Sequence, residues 1–230
     1  MDAAKAKIRI QERPGRPLLA HTGRQKPRCR FYTGDGRHTC SRLNYAGMCN
    51  EFRFKQALDK IAEEFSQLRL PIHWVGGAPN LEPRDSIRPT DPAAIVLGTP
   101  DGPELKQLRW GFPRDKGGPL INFRSEDRRF PVGRCLILAD GFYEFTGDKA
   151  PKSKWLFTAA HGDLFAIGGL VRDDRFTMLT CAPGPDIAPY HNRQIVILPR
   201  DQWNAWLGPA DAQPPIAPLP AGSLKVEQIR

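Results

Sequence analysis

Residues Cys135–Phe145 read CLILADGFYEF. Two short apolar runs, Cys135–Ala139 and Phe142–Phe145, flank Asp140-Gly141, a pair that breaks regular structure and favours a turn. Both runs are too short for an ordinary helix and suit a pleated surface. The pattern repeats outward in both directions. Ile72–Val75, Ala94–Leu97 and Gln107–Trp110 precede it; Trp155–Thr158, Leu164–Leu170, Phe176–Thr180 and Ile195–Leu198 follow, with Gly, Pro and Asp between them. Helical spacing is confined to two places. Over Glu51–Leu68 the apolar residues Phe54, Leu58, Ile61, Ala62, Phe65 and Leu68 share one face, with Asn50 placed to cap it. A short helix is expected from Asp201, carrying Trp203, Trp206 and Leu207. Many short strands with few helices predict an α+β protein, mainly antiparallel sheet, curled or barrel-like, with a few flanking helices.

Bulk properties bound the function. No run approaches the roughly 18 apolar residues of a membrane span, so no membrane association is expected. The charged first residues lack the apolar stretch of a secretory signal. Five cysteines (Cys29, Cys40, Cys49, Cys135 and Cys181), odd in number and without CxxC spacing, suit a reducing compartment such as the cytoplasm. Cys29, His38 and Cys40 lack recognised zinc-ligand spacing, and neither a metal nor another cofactor is expected.

The net charge of +9 is uneven. Up to Gly47, eleven basic residues stand against three acids, leaving +8 in that segment and +1 for all that follows. The overall pI therefore says little about the folded body. Residues 1–47 have no helical or strand period and read as an irregular basic extension. Three readings stay open: a DNA-binding arm, a targeting segment, or upstream sequence absent from the mature protein. Residues 48–230 are expected to form the folded domain.

Two residues invite a chemical reading. Period-two alternation places Glu144 on the same face as Phe142. A carboxylate in an apolar strand is costly unless paired or useful, and a strand-end salt bridge competes with a functional role. Cys49 follows Met48. An internal cysteine there would serve as a core residue, whereas a chain starting at Met48 would expose an α-amine and a thiol on adjacent carbons.

Seven motifs then occur in order: MCNEFR from Met48, PRDSIRPTDPAAIV from Pro83, RWGFP from Arg109, INFRSE from Ile121, GRCLILADGFYEF from Gly133, LTCAPG from Leu179 and YHNRQIVIL from Tyr190. Together they resemble the SOS-response-associated peptidase (SRAP) family of abasic-site-processing proteins. The resemblance implies a catalytic Cys49 at the mature N-terminus, with Asn122, Glu144 and His191 completing the site. It further implies that Arg124, Arg193 and Thr180 belong to the site. Chemically, the two arginines suit the holding of phosphates, and Trp110 suits either stacking at a base step or a place in the core. Three departures stand out: Glu51 occupies a place usually held by arginine, with Arg53 two residues on as a substitute DNA contact; Phe145 stands where tryptophan is common; and 47 residues precede Met48. The implied function is a sensor of abasic sites in single-stranded DNA that forms a covalent thiazolidine through Cys49, with self-processing and strand-cleaving lyase chemistry as accompaniments. A peptidase without DNA crosslinking and a non-enzymatic single-strand-binding module are the competing readings. A monomer is expected, because the motifs complete one site within one chain.

Overall fold

The computed structural model describes residues 48–230 except 75, 76, 78 and 163. The basic extension and its Cys29, His38 and Cys40 lie outside the described residues. Among the described residues, thirteen strands form two sheets. One has the order β13 (Leu224–Gln228), β8 (Ser153–Ala159), β7 (Gly141–Thr146), β1 (Phe52–Phe54), β2 (Arg84–Ile87). The other runs β11 (Gln194–Ile195), β10 (Arg175–Cys181), β4 (Gly102–Trp110), β3 (Pro92–Thr99), β6 (Arg134–Ala139), β9 (Phe165–Arg172), β12 (Ile197–Leu198). In addition, β10 pairs directly with β9, so β10, β4, β3, β6 and β9 close on themselves. The expected α+β class and curled, barrel-like sheet are therefore present. Pairing is mostly antiparallel, with β10 parallel to β4 and to β5 (Asn122–Arg124).

Gly169 shows why the ring can close. A Cβ there would stand 2.6 Å from Ile137 Cδ1 and 2.9 Å from the Thr177 carbonyl oxygen. Only a residue without a side chain lets β9 pack this tightly beside β6 and β10. The segment Gln194–Leu198 then changes neighbours midway. Ile195 pairs with Thr180 of β10, while Ile197 pairs with Ile167 of β9. Thus the single strand expected at Ile195–Leu198 is two short ones.

The first half holds the main departures. The expected helix at Glu51–Leu68 is a strand followed by a shorter helix, α1 (Leu58–Gln67), preceded by Ala57 rather than capped by Asn50. Phe52 and Phe54 are buried, and β1 is bonded on both sides, to β2 and β7; two ladders outweigh the local helical spacing. From the expected Ile72–Val75 strand only an isolated bridge between His73 and Glu104 appears, and Val75 lies outside the described residues. Strands β1, β2, β5 and β13 lack long apolar runs and were not anticipated. The C-terminal helix α2 (Trp203–Leu207) follows a 3₁₀ turn at Arg200–Gln202, close to its expected start. Its end is held by Arg134, whose guanidinium donates to the carbonyls of Phe130, Trp206, Gly208 and Pro209. Those bonds satisfy carbonyls that a helix end leaves open.

Candidate functional site

Strand β1 brings Cys49 to the edge of β7. Phe52 pairs with Phe142, and the Tyr143 amide donates to the Glu51 carbonyl at 2.9 Å, so the chain before β1 runs alongside β7. Cys49 is 1% exposed and Glu144 is 1% exposed. The backbone of Cys49 lies against the Glu144 carboxyl, where it favours the charged form. On the other side, Asn122 at the start of β5 donates from Nδ2 to the Cys49 carbonyl at 3.0 Å. The main chain of this cysteine is therefore held between Glu144 and Asn122.

Electrostatics at this point are set by burial. The Glu144 pKa is pushed up to about 8 by desolvation, offset only in part by the Cys49 backbone. At neutral pH the group is mostly protonated yet close to exchange. The Cys49 thiol is driven well above its ordinary value, first by burial and then by the nearby Glu144. It is a neutral S–H, 3.6 Å from the Glu51 carbonyl oxygen. Glu144 Oε1 and Asn122 Oδ1 are buried without a hydrogen-bond partner. A buried, unsatisfied polar atom is costly in a purely structural role, which argues against the strand-end salt bridge for Glu144.

A second group gathers at the end of β10. Arg193 forks onto the Glu126 carboxylate and also donates from Nη2 to Thr180 Oγ1 and to the Thr180 carbonyl, both at 2.9 Å. The His191 ring is 4% exposed, and its Nδ1 lies 3.1 Å from the Arg193 amide and 3.0 Å from the Arg193 carbonyl. Without a proton Nδ1 accepts the amide; with one it donates to the carbonyl. Both ring states are served by the same backbone. Strand β5 links the two groups, since Asn122 at its start bonds to Cys49 while Arg124 at its end pairs with Thr180. Arg124 is exposed.

Residues 48–229 match the family described as SOS response associated peptidase (SRAP). The chain belongs to that family. Among its relatives, the abasic site processing protein YoaM of Bacillus subtilis (strain 168) is 26% identical, over 73% of this chain and 82% of its own. YobE of the same organism, with the same description, is 27% identical over 73% of this chain and 85% of its own. A crystal structure of a protein from Bordetella bronchiseptica superposes with a TM-score of 0.61 at 23% identity, covering 79% of this chain and all of that one. A phage-related protein from the same organism gives a TM-score of 0.61 at 20% identity, covering 79% and 94%. These two share the fold.

The sequence suggested contacts that the side chains do not all make. Trp110 is fully buried, donates its indole N–H to the Ile121 carbonyl at 2.9 Å, and meets Phe52 edge-on at 5.3 Å. It is a core residue, which corrects the expectation of a stacking platform: the last position of β4 packs against Phe52 and Phe176. Thr180 is also fully buried and serves to hold Arg193. Arg53 is engaged by Asp140 at 2.6 Å.

Several residues around Cys49 have no role assigned from the sequence, although Ser86 and Arg88 fall within the motif that starts at Pro83. Lys154 donates to Glu51 Oε1 at 2.7 Å across 103 residues of chain, Ser86 Oγ donates to the same oxygen at 2.8 Å, and Arg88 stands 3.5 Å away. A cavity of about 380 Å³ opens beside them, lined by Met48, Asn50, Glu51, Arg88, Glu144 and Lys152 among others. A larger one, about 530 Å³, lies between Ser125–Arg129 and Gln213–Pro218. Glu144 lines the smaller cavity.

Proposed function

We propose that this protein captures abasic sites in single-stranded DNA by forming a thiazolidine with Cys49. The observation that carries the reading is the grip on the cysteine main chain, with Glu144 against its backbone and Asn122 on its carbonyl. The nitrogen of that backbone is the atom that would attack. The description of YoaM and YobE as abasic site processing proteins points the same way.

The reaction needs a free α-amine on Cys49. Either translation starts at Met48 and the methionine is removed, or water hydrolyses the Met48–Cys49 bond. The neutral amine, with an ordinary pKa of about 8, adds to the aldehyde of the ring-opened sugar. Glu144 donates a proton to the leaving hydroxyl, water departs, and a Schiff base remains. The thiol then adds to the imine carbon and its proton passes to the nitrogen, closing a five-membered ring. Aldehyde, amine and thiol become thiazolidine and one water. An acid whose pKa lies near the working pH is suited to this exchange of protons. β-Elimination from the Schiff base would cleave the strand as an accompanying lyase reaction. His191 is placed in the reading as the group that assists opening of the sugar, and Arg193, beside it, with Arg124 as the phosphate-holding residues.

A protonated, buried thiol is a poor nucleophile for peptide hydrolysis, since attack on a carbonyl requires the thiolate. The same thiol needs only to meet an electrophilic imine formed on its own residue. The test compares the full chain, a chain beginning at Met48, and that chain with Cys49→Ala, against an oligonucleotide with one abasic site. The expected outcome is a denaturation-stable adduct, with the mass of the sum less one water, only where Cys49 is the N-terminal residue. A stable adduct in the Cys49→Ala protein overturns the reading.

A further inference from the structure

We propose that Arg88 and Lys152, at the mouth of the cavity beside Cys49, form a binding subsite for a phosphodiester of the DNA strand. This rests on the functional reading above and names where its strand is held. It also answers a difficulty in the sequence: Glu51 puts an acid where the SRAP resemblance leads one to expect an arginine.

Glu51 is 3% exposed but does not offer its charge to the cavity. Lys154 neutralises it from within at 2.7 Å, and its own ammonium rests 3.9 Å from the Tyr143 ring centroid, leaving it 16% exposed. Arg88 lies at the looser distance of 3.5 Å, with 66% of its side chain exposed. Its backbone is fixed, because the Arg88 N–H donates to Asp91 Oδ2 and the Asp91 N–H returns to the Arg88 carbonyl, both at 2.9 Å. Lys152 lines the same cavity. The acids there are Glu51, already paired, and Glu144, mostly uncharged at neutral pH. Arg88, held only loosely by a Glu51 that Lys154 already neutralises, and Lys152 thus face a cavity lined by Glu144 and by Met48 and Asn50, the two neighbours of Cys49, and a phosphodiester flanking an abasic sugar bound at Cys49 supplies a fuller counter-charge. In effect the positive charge has moved from position 51 to position 88.

The test uses the full chain and a single-stranded oligonucleotide, with affinity measured by anisotropy across salt concentrations. Each phosphate contact on a single strand contributes a slope of about 0.7 in log K against log salt. Arg88→Ala and Lys152→Ala should each lower the slope by about that much and weaken binding about fivefold at 0.1 M salt. Replacing the contacted linkage with an uncharged methylphosphonate should abolish the effect of Arg88→Ala. Lys154→Met should also weaken binding, because an unneutralised Glu51 then draws in Arg88. Adding Glu51→Gln should restore affinity, a recovery that general loss of stability cannot produce. If the unaltered chain binds with a clear salt slope and Arg88→Ala leaves it unchanged, the subsite is wrong while the functional reading stands. If the unaltered chain shows no salt-dependent binding, the functional reading fails and the subsite with it.

Discussion

Glu51 and Glu144 face the same cavity, and each is almost wholly buried, yet their surroundings drive them in opposite directions. Burial alone would raise both. At Glu51 the hydrogen bonds from Lys154 and Ser86 and the charges of Lys154 and Arg88 overcome it, and the carboxyl sits below its ordinary range. At Glu144 only the Cys49 backbone opposes burial, and the pKa rises to about 8. Depth therefore does not decide the state of a buried acid; the count of donors does. One buried acid is a fixed anion and the other a movable proton, and both line the same cavity.

The largest expected effect follows from removing the movable proton. Glu144→Gln keeps the shape and can still lie against the Cys49 backbone, but cannot exchange protons. Formation of the adduct should slow by about 10²–10⁴-fold, the usual range for acid–base catalysis, while affinity for the intact strand stays within a factor of two or so. Single-turnover rates and equilibrium binding measured on the same preparation separate the two. A Gln variant that reacts at the original rate would show that the elevated carboxyl is a structural tenant of the strand.

Stability against pH should divide the same two residues. The folded pKa of Glu144 lies above the ordinary 4.5, so the folded state holds its proton more tightly. Its stabilising contribution is full below about 4.5 and is lost as pH rises towards about 8. Glu51 is lowered, so its contribution is full above the ordinary value and is lost as pH falls from there through the lowered folded value. Urea unfolding at pH 4, 6 and 8 checks both. Relative to the unaltered protein, Glu144→Gln should look most stable at pH 8, whereas Glu51→Gln should look least unstable at pH 4. Parallel curves for the two variants would mean that burial, and not pairing, governs both sites.

How much of this could be read from the chain depends on the distance over which each effect acts. Glu144 is legible because its anomaly is local: an acid amid Phe142, Tyr143 and Phe145 breaks the strand's own alternation. The barrel strands are legible for the same reason, as in CLILA, where every residue of β6 is buried. Glu51 is different. Its state depends on Lys154 and Ser86, which are distant in sequence and meet it only once β1 lies between β2 and β7. β1 itself was hidden, since Phe54 and Leu58 continue the spacing of the helix that follows. Trp110 misled for a related reason: an aromatic at a strand end fits a platform or a core equally well until the barrel closes around it.

Glu126 offers an exposed control for the buried pair. Its carboxyl is also lowered, first by the hydrogen bonds from Arg193, but 39% of its side chain is open to water. An ion pair at that exposure gains little, because solvent and salt screen the attraction and two long side chains must be held in place. Glu126→Gln should therefore cost under about 1 kcal/mol in urea unfolding, and less still at 0.5 M salt. Arg193 would keep its bonds to the Thr180 carbonyl and hydroxyl, and through its backbone the contacts to His191. The rate of adduct formation should accordingly change by less than that of Glu144→Gln. A stability loss of several kcal/mol, insensitive to salt, would instead place Glu126 with Glu51, as an anion whose pairing the fold requires.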